Sequence, residues 1–139
     1  MLLYVSTTWL DFAHLALPDW LRWAGAVTLA GGVTFGWWAH AVLGNNWSGI
    51  LELSSDHSLV TGGPYRWVRH PMYSAFFVIG LGALMLSANW LIGATYLLCV
   101  GWMYHARVRS EEEMMIERFG ETYRAYMDRT GRLFPRLSK

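Results

Sequence analysis

The stretch Gly62-Gly63-Pro64-Tyr65-Arg66-Trp67-Val68-Arg69-His70-Pro71-Met72-Tyr73 gathers guanidinium, imidazole and phenol groups at the start of a long apolar run. The residue before a proline is pushed out of the helical region and proline suits a first helical turn, so Arg69 and His70 should lie just outside a helix starting at Pro71. The free N–H groups and positive dipole end of such a helix can hold an anionic part of a ligand, with Arg69 adding a fixed charge. A second polar group follows at Glu111 and Glu112. Neighbouring helix positions point about 100° apart, so these two carboxylates cannot aim at one atom. One can hold a ligand while the other pairs with Arg107 or Arg109. The same residues would also serve as ordinary interfacial ion pairs.

Other chemistries fit less well. No His-Glu-x-x-His or Cys-rich spacing points to a metal, and His57 and His70 sit thirteen residues apart on an irregular stretch. Ser74, four residues after His70, reads as a first-turn serine bonding backbone. No glycine-rich phosphate loop stands in a βαβ setting, which excludes a soluble nucleotide fold.

These groups must be positioned by a very apolar chain. Of 139 residues 54% are hydrophobic, nine are Trp and only 15% are charged, which is too apolar for an ordinary soluble domain and implies a single membrane domain over residues 1–139. Eleven Lys and Arg against ten Asp and Glu give no reason to expect nucleic acid. Cys99, the one cysteine, allows no intrachain disulfide and reads as a small hydrophobe. The N-terminus lacks a signal-peptide pattern and is taken as part of the mature protein.

An all-α integral membrane protein with three to four transmembrane helices follows from the hydropathy. Residues 1–17 form a short first span or an interfacial helix, with a span favoured; Asp11 and His14 would share one of its faces, either as a proton relay or as boundary residues. Residues 20–43 form a clear span on which Gly32 and Gly36 mark a packing face, and Trp37, Trp38 and Trp47 a far interfacial belt. Residues 44–70 are the one long polar interval, a short hairpin or extended arm. Residues 71–87 and 90–105, parted by Ala88-Asn89, predict a tight antiparallel hairpin; a single kinked helix is the competing reading. Beyond Ala106 charges crowd in, and Met115, Phe119, Tyr123 and Tyr126 make the apolar stripe of an amphipathic C-terminal helix broken at Gly120. The chain thus divides into N-terminal helices (1–43), a loop (44–70) and the catalytic hairpin with its C-terminal helices (71–139), and the excess of Arg and Lys after His105 and in the loop puts the loop and the C-terminus on the cytoplasmic side. The hairpin would thereby bring Arg69 and the two glutamates to one membrane face, as a polar site roofing an apolar cavity.

The pattern His57-x-Leu59-Val60-Thr61-x-Gly63-Pro64-Tyr65-Arg66-x-x-Arg69-His70-Pro71-x-Tyr73, followed by Glu111-Glu112 and then Phe119-Gly120-x-x-Tyr123-x-x-Tyr126, resembles the isoprenylcysteine carboxyl methyltransferase and phospholipid methyltransferase superfamily. The likeness covers about residues 57–135. It implies an integral membrane methyltransferase using S-adenosylmethionine, with Arg69, His70 and Glu112 at the catalytic centre. By the same resemblance His57, Tyr65, Arg69, His70, Tyr73, Glu111 and Glu112 contribute to the cofactor site. Two positions depart from the family pattern: Ser74 stands where glycine is frequent, and Gly44-Asn45-Asn46 is the nearest counterpart of a Gly-x-Gly.

Methyl transfer from a sulfonium is an in-line displacement with a preactivated donor, so the protein must orient and dehydrate. A carboxylate acceptor needs no base, whereas an amine must first lose a proton to a histidine or glutamate. The acceptor, a carboxylate, amine or thiol of a lipid-like or prenylated molecule, would enter from the bilayer. Two other functions remain open at this point: an NADPH-dependent membrane reductase of the sterol-reductase type, and a non-catalytic membrane interaction protein.

Overall fold

The computed structural model describes residues 8–44 and 58–136. His57, Trp47, Asn45 and Asn46 lie outside them, as do residues 1–7 and most of the polar interval before residue 58. Pro18, in an extended conformation, gives way to helix α1, Asp19–Leu43, whose 25 residues reach ~38 Å. Only 11% of its most apolar 18-residue window is buried. The core helix of a soluble protein hides its apolar face; α1 instead turns Trp20, Trp23, Val27, Val33 and Trp37 outward, as a helix solvated by lipid does. Among the described residues α1 is the one helix long and apolar enough by itself to cross a bilayer.

Helix α2, Pro71–Ser87, has proline at its first turn and His70 just outside with φ −123°, as the Arg-His-Pro order predicts. It stops where Ala88 enters the left-handed region at φ 49°. Asn89 then starts helix α3, Trp90–Phe119: its Oδ1 accepts from the Leu91 and Ile92 amides at 3.1 and 3.2 Å. The two-residue turn makes α2 and α3 the expected antiparallel hairpin, and the kinked-helix alternative falls.

Two expectations change. Within residues 1–17 the described part is no α-helical span: Thr8–Ala13 is a 3-10 helix of six residues, ~12 Å long. The turn takes up its backbone, since Asn89 Nδ2 donates to Leu10 O at 2.9 Å and Leu15 N to Ala88 O at 2.6 Å, folding the segment against the hairpin end. His14 lies past the 3-10 helix in a bridge to Asn89, so it does not share a helix face with Asp11. The second change is that α3 runs unbroken for 30 residues, ~45 Å, through Ala106 into the charged region. Apolar rod and polar extension are one helix, and Gly120, at φ 54°, separates it from the nine-residue α4, Glu121–Arg129.

The helices approach at glycines. A Cβ on Gly82 would sit 2.5 Å from the Leu29 amide nitrogen, and one on Gly32 would sit 2.9 Å from Ile79 Cγ1, so α1 and α2 touch almost backbone to backbone. In lipid, where burial of apolar surface drives little, this close contact is the available source of cohesion. Gly36 lies on the same face, next to Ala75, as its spacing from Gly32 suggests.

Gly82→Ala must move backbone and should lower stability by about 1–3 kcal/mol. Gly31→Ala, whose Cβ would meet nothing within 4 Å, should leave the protein as stable or slightly more so. Thermal unfolding of both variants in detergent checks the contrast.

Candidate active site

The hairpin returns α3 to the level of His70, and the polar half of α3 meets the segment before α2. Tyr104, Val108, Glu111 and Glu112 follow one another at i, i+4, i+7 and i+8, one face of the helix. That face points at Arg69, His70 and Tyr73.

Glu112 is the centre. Its side chain is only 5% exposed, and its carboxylate accepts from Arg69 Nε at 3.0 Å and from Arg132 Nη2 at 2.7 Å and Nε at 3.1 Å; His70 Nε2 lies 3.3 Å away. Burial alone would raise its pKa, but the hydrogen bonds from His70, Arg132 and Arg69 prevail and bring it down to about 2 from an ordinary 4.5. The carboxylate therefore stays ionised, as a buried charge with cationic partners does.

Glu111 points elsewhere, as consecutive helix positions require. Its Oε1 accepts from the Tyr73 hydroxyl at 2.9 Å and lies 3.3 Å from Arg107 Nε, while Oε2 is 3.6 Å from His70 Nδ1. His70 thus stands between the two glutamates. Beside it the rings of Tyr73 and Tyr104 meet edge to face at 5.3 Å, with His70 and Phe77 packing on Tyr104 at 6.4 and 6.3 Å. Ring faces next to carboxylates suit a cation, including a sulfonium.

Arg69 is turned inward. Beyond Glu112 it donates from Nη1 to the Met127 and Thr130 carbonyls, capping the C-terminal end of α4 with charge of the favourable sign. Residues 130–133 form a strap along this region: Arg69 N donates to Gly131 O at 2.8 Å, His70 N to Arg132 O at 3.1 Å, and Ser74 Oγ to Leu133 O at 2.7 Å. Ser74 does bond backbone, both here and to His70 O.

The structure thus brings together Arg69, His70, Tyr73, Glu111 and Glu112 from the set chosen by sequence. Tyr65 goes to the core instead: it is 7% exposed, and its carbonyl accepts the hydroxyl of Tyr126 on α4. Burial pushes the Tyr65 hydroxyl up and holds that of Tyr126 at about 12, so both stay neutral near pH 7. Two residues went unread. Tyr104 lies seven and eight residues before the glutamates, a spacing that marks the shared face, but in sequence it merges with the apolar run of residues 90–105. Arg132 reaches Glu112 across 20 residues and a helix break, and no local pattern marks it.

Fold and site together describe a helical protein with a lipid-exposed apolar body and an aromatic and acidic site where its hairpin opens. A profile of the isoprenylcysteine carboxyl methyltransferase (ICMT) family matches residues 25–117, and the chain belongs to that family. It is 31% identical over 132 residues to protein-S-isoprenylcysteine O-methyltransferase of Homo sapiens, an alignment covering 88% of this chain and 46% of that protein. The nickel-cobalt-cadmium resistance protein NccN of Alcaligenes xylosoxydans xylosoxydans is 38% identical over 101 residues, covering 70% of this chain and 46% of NccN. A solved structure of the eukaryotic intramembrane Ras methyltransferase ICMT superposes with a TM-score of 0.76 at 32% identity, over 85% of this chain and 43% of that one. The chain spans just under half the length of these relatives.

Glu112→Gln leaves Arg69 buried without its anion and should cost about 3–5 kcal/mol. Because the folded pKa lies below the unfolded one, the charge contributes fully above about pH 4.5 and its contribution is lost as pH falls toward about 2. Unfolding of wild type and Glu112→Gln, followed from pH 6 to pH 2, should give stabilities that converge at the acid end.

Proposed function

We propose that this chain is an integral membrane methyltransferase that uses S-adenosylmethionine to methylate a lipophilic acceptor, with the carboxylate of a prenylated cysteine as the favoured acceptor class. The observation that carries the reading is the Tyr73–Tyr104–His70 ring cluster set against Glu111 at the end of an apolar hairpin. The family and the names of its relatives support the acceptor class.

The donor set fits the cofactor. When bound, S-adenosylmethionine supplies a methyl group on a positively charged sulfur that needs no further activation. Tyr73, Tyr104 and Phe77 would line its reactive end and exclude water, so that the charges of donor and acceptor are screened less than in bulk solvent. Glu111, 23% exposed, offers negative charge for the cationic part or for a hydroxyl or amine of the ligand. His70, held between two carboxylates, hydrogen bonds ligand or acceptor. A carboxylate acceptor requires no proton transfer, so none of these groups has to act as a base. Arg69 and Glu112, given direct contact with ligand by the sequence reading, are assigned a positioning role here, because their polar atoms hold each other, His70, Arg132 and the end of α4.

The spans in this reading are α1, α2 and the apolar half of α3. Arg22 lies at the hairpin-turn end, and every other Arg of the described residues lies at the site end, which under the positive-inside rule faces the cytoplasm. The acceptor then arrives sideways from the bilayer and the donor from the cytoplasm.

Calorimetric titration of the detergent-solubilised protein with S-adenosylmethionine and S-adenosylhomocysteine should give saturable binding, with NADPH giving none. Glu111→Gln should weaken the adenosyl ligands about tenfold, the worth of one hydrogen bond to a charged group. Glu113→Ala, which removes only an exposed pair with Arg109, should change nothing. Absence of adenosyl binding to folded protein would overturn the proposal.

A further inference from the structure

Three guanidiniums, those of Arg69, Arg107 and Arg132, stand against two carboxylates, Glu111 and Glu112. Whatever the imidazole contributes, the guanidiniums outnumber the carboxylates by one at a partly buried site, where an unbalanced charge is costly. An anionic group of a ligand would balance it.

The geometry indicates which cation would meet that group. Arg69 is 8% exposed and engaged through Nε and Nη1 with Glu112 and two carbonyls. The Arg107 side chain is turned to Glu111. Arg132 differs from both. Its side chain is 54% exposed, Nε and Nη2 reach Glu112, and Nη1 has no partner among the described residues. A guanidinium carries five N–H donors in a fixed plane and can serve two carboxylates along two edges. Nor is Arg132 a stray tail residue: its carbonyl accepts from the His70 amide, and Gly131 pairs with Trp67 and Arg69 on either side of Val68.

We propose that Arg132 receives a ligand carboxylate at the mouth of the site, bridging it to Glu112, so that the strap after α4 is part of the binding site. This inference rests on the methyltransferase reading. Two carboxylates qualify by chemistry: the amino-acid end of the adenosyl ligand and the acceptor's own carboxylate.

The test uses matched pairs of probes with the full chain. S-adenosylhomocysteine is compared with its decarboxylated analogue, and N-acetyl-S-farnesylcysteine with its primary amide, by titration against wild type, Arg132→Gln and Arg132→Lys. In one pair, wild type should prefer the carboxylate by about tenfold to a hundredfold, and Arg132→Gln should erase that preference by weakening the carboxylate-bearing member more than its partner. The adenosyl pair responding identifies the cofactor's carboxylate, and the farnesyl pair responding identifies the acceptor's. Equal loss for both members of each pair, or no change in either, overturns the inference and leaves Arg132 a structural partner of Glu112. Should Arg132→Gln fail to fold, Arg132→Lys decides: a preference reduced severalfold supports the bridge, and an unchanged one overturns it. Failure of wild type to bind any probe overturns the methyltransferase reading and this inference together.

Discussion

A single carboxylate, buried and shared among Arg69, Arg132 and His70, holds this end of the molecule together. Glu112 is carried by α3, Arg69 and His70 lie just before α2, and Arg132 comes from the strap beyond α4. Three chain segments remote in sequence are tied to one charge. Isolated in a low-dielectric setting that charge would be neutralised or expelled; with two guanidiniums and an imidazole around it, it stays ionised and fixes the separations between segments. Arg69 extends the tie to the C-terminal end of α4, so the helix that closes the site is secured by the same network.

What lies beside the network depends on it. Glu111, one residue earlier, is turned away by the helix geometry toward Tyr73 and Arg107, and His70 is held between the two glutamates. One glutamate keeps the scaffold and the other faces the aromatic cluster, a division that follows from the 100° step between adjacent helix positions. The lipid-exposed half of the protein obeys a different rule, close contact at Gly82, Gly32 and Gly25. Polar ties at one end and steric fit along the shaft are complementary: the glycines seat α1 on α2, and the charge network holds α3 and the strap against the segment before α2.

Much of this was legible beforehand. Pro71 announced a helix start, Ala88-Asn89 a tight turn and Gly120 a break, because each depends on local backbone preferences that operate within a few residues. The grouping of Arg69, His70, Tyr73 and the glutamates followed once the hairpin was read. What escaped was set at long range. The 3-10 form of Thr8–Ala13 is tied to the side chain of Asn89, Tyr65 is covered by a helix whose Tyr126 lies 61 residues later, and Arg132 acquires its place through a carboxylate on another element. No window of sequence holds both partners of such contacts.

The unbroken course of α3 carries a mechanical meaning. From Trp90 at the turn to Phe119 there is no hinge, so the segment facing lipid and the segment bearing Glu111 and Glu112 tilt and shift as one body. With α3 as a span, a bilayer that thins or thickens would act on the apolar half by changing its tilt, and the polar half would swing with it. The depth of the aromatic cluster relative to the headgroups would thereby be set by the membrane as much as by the protein.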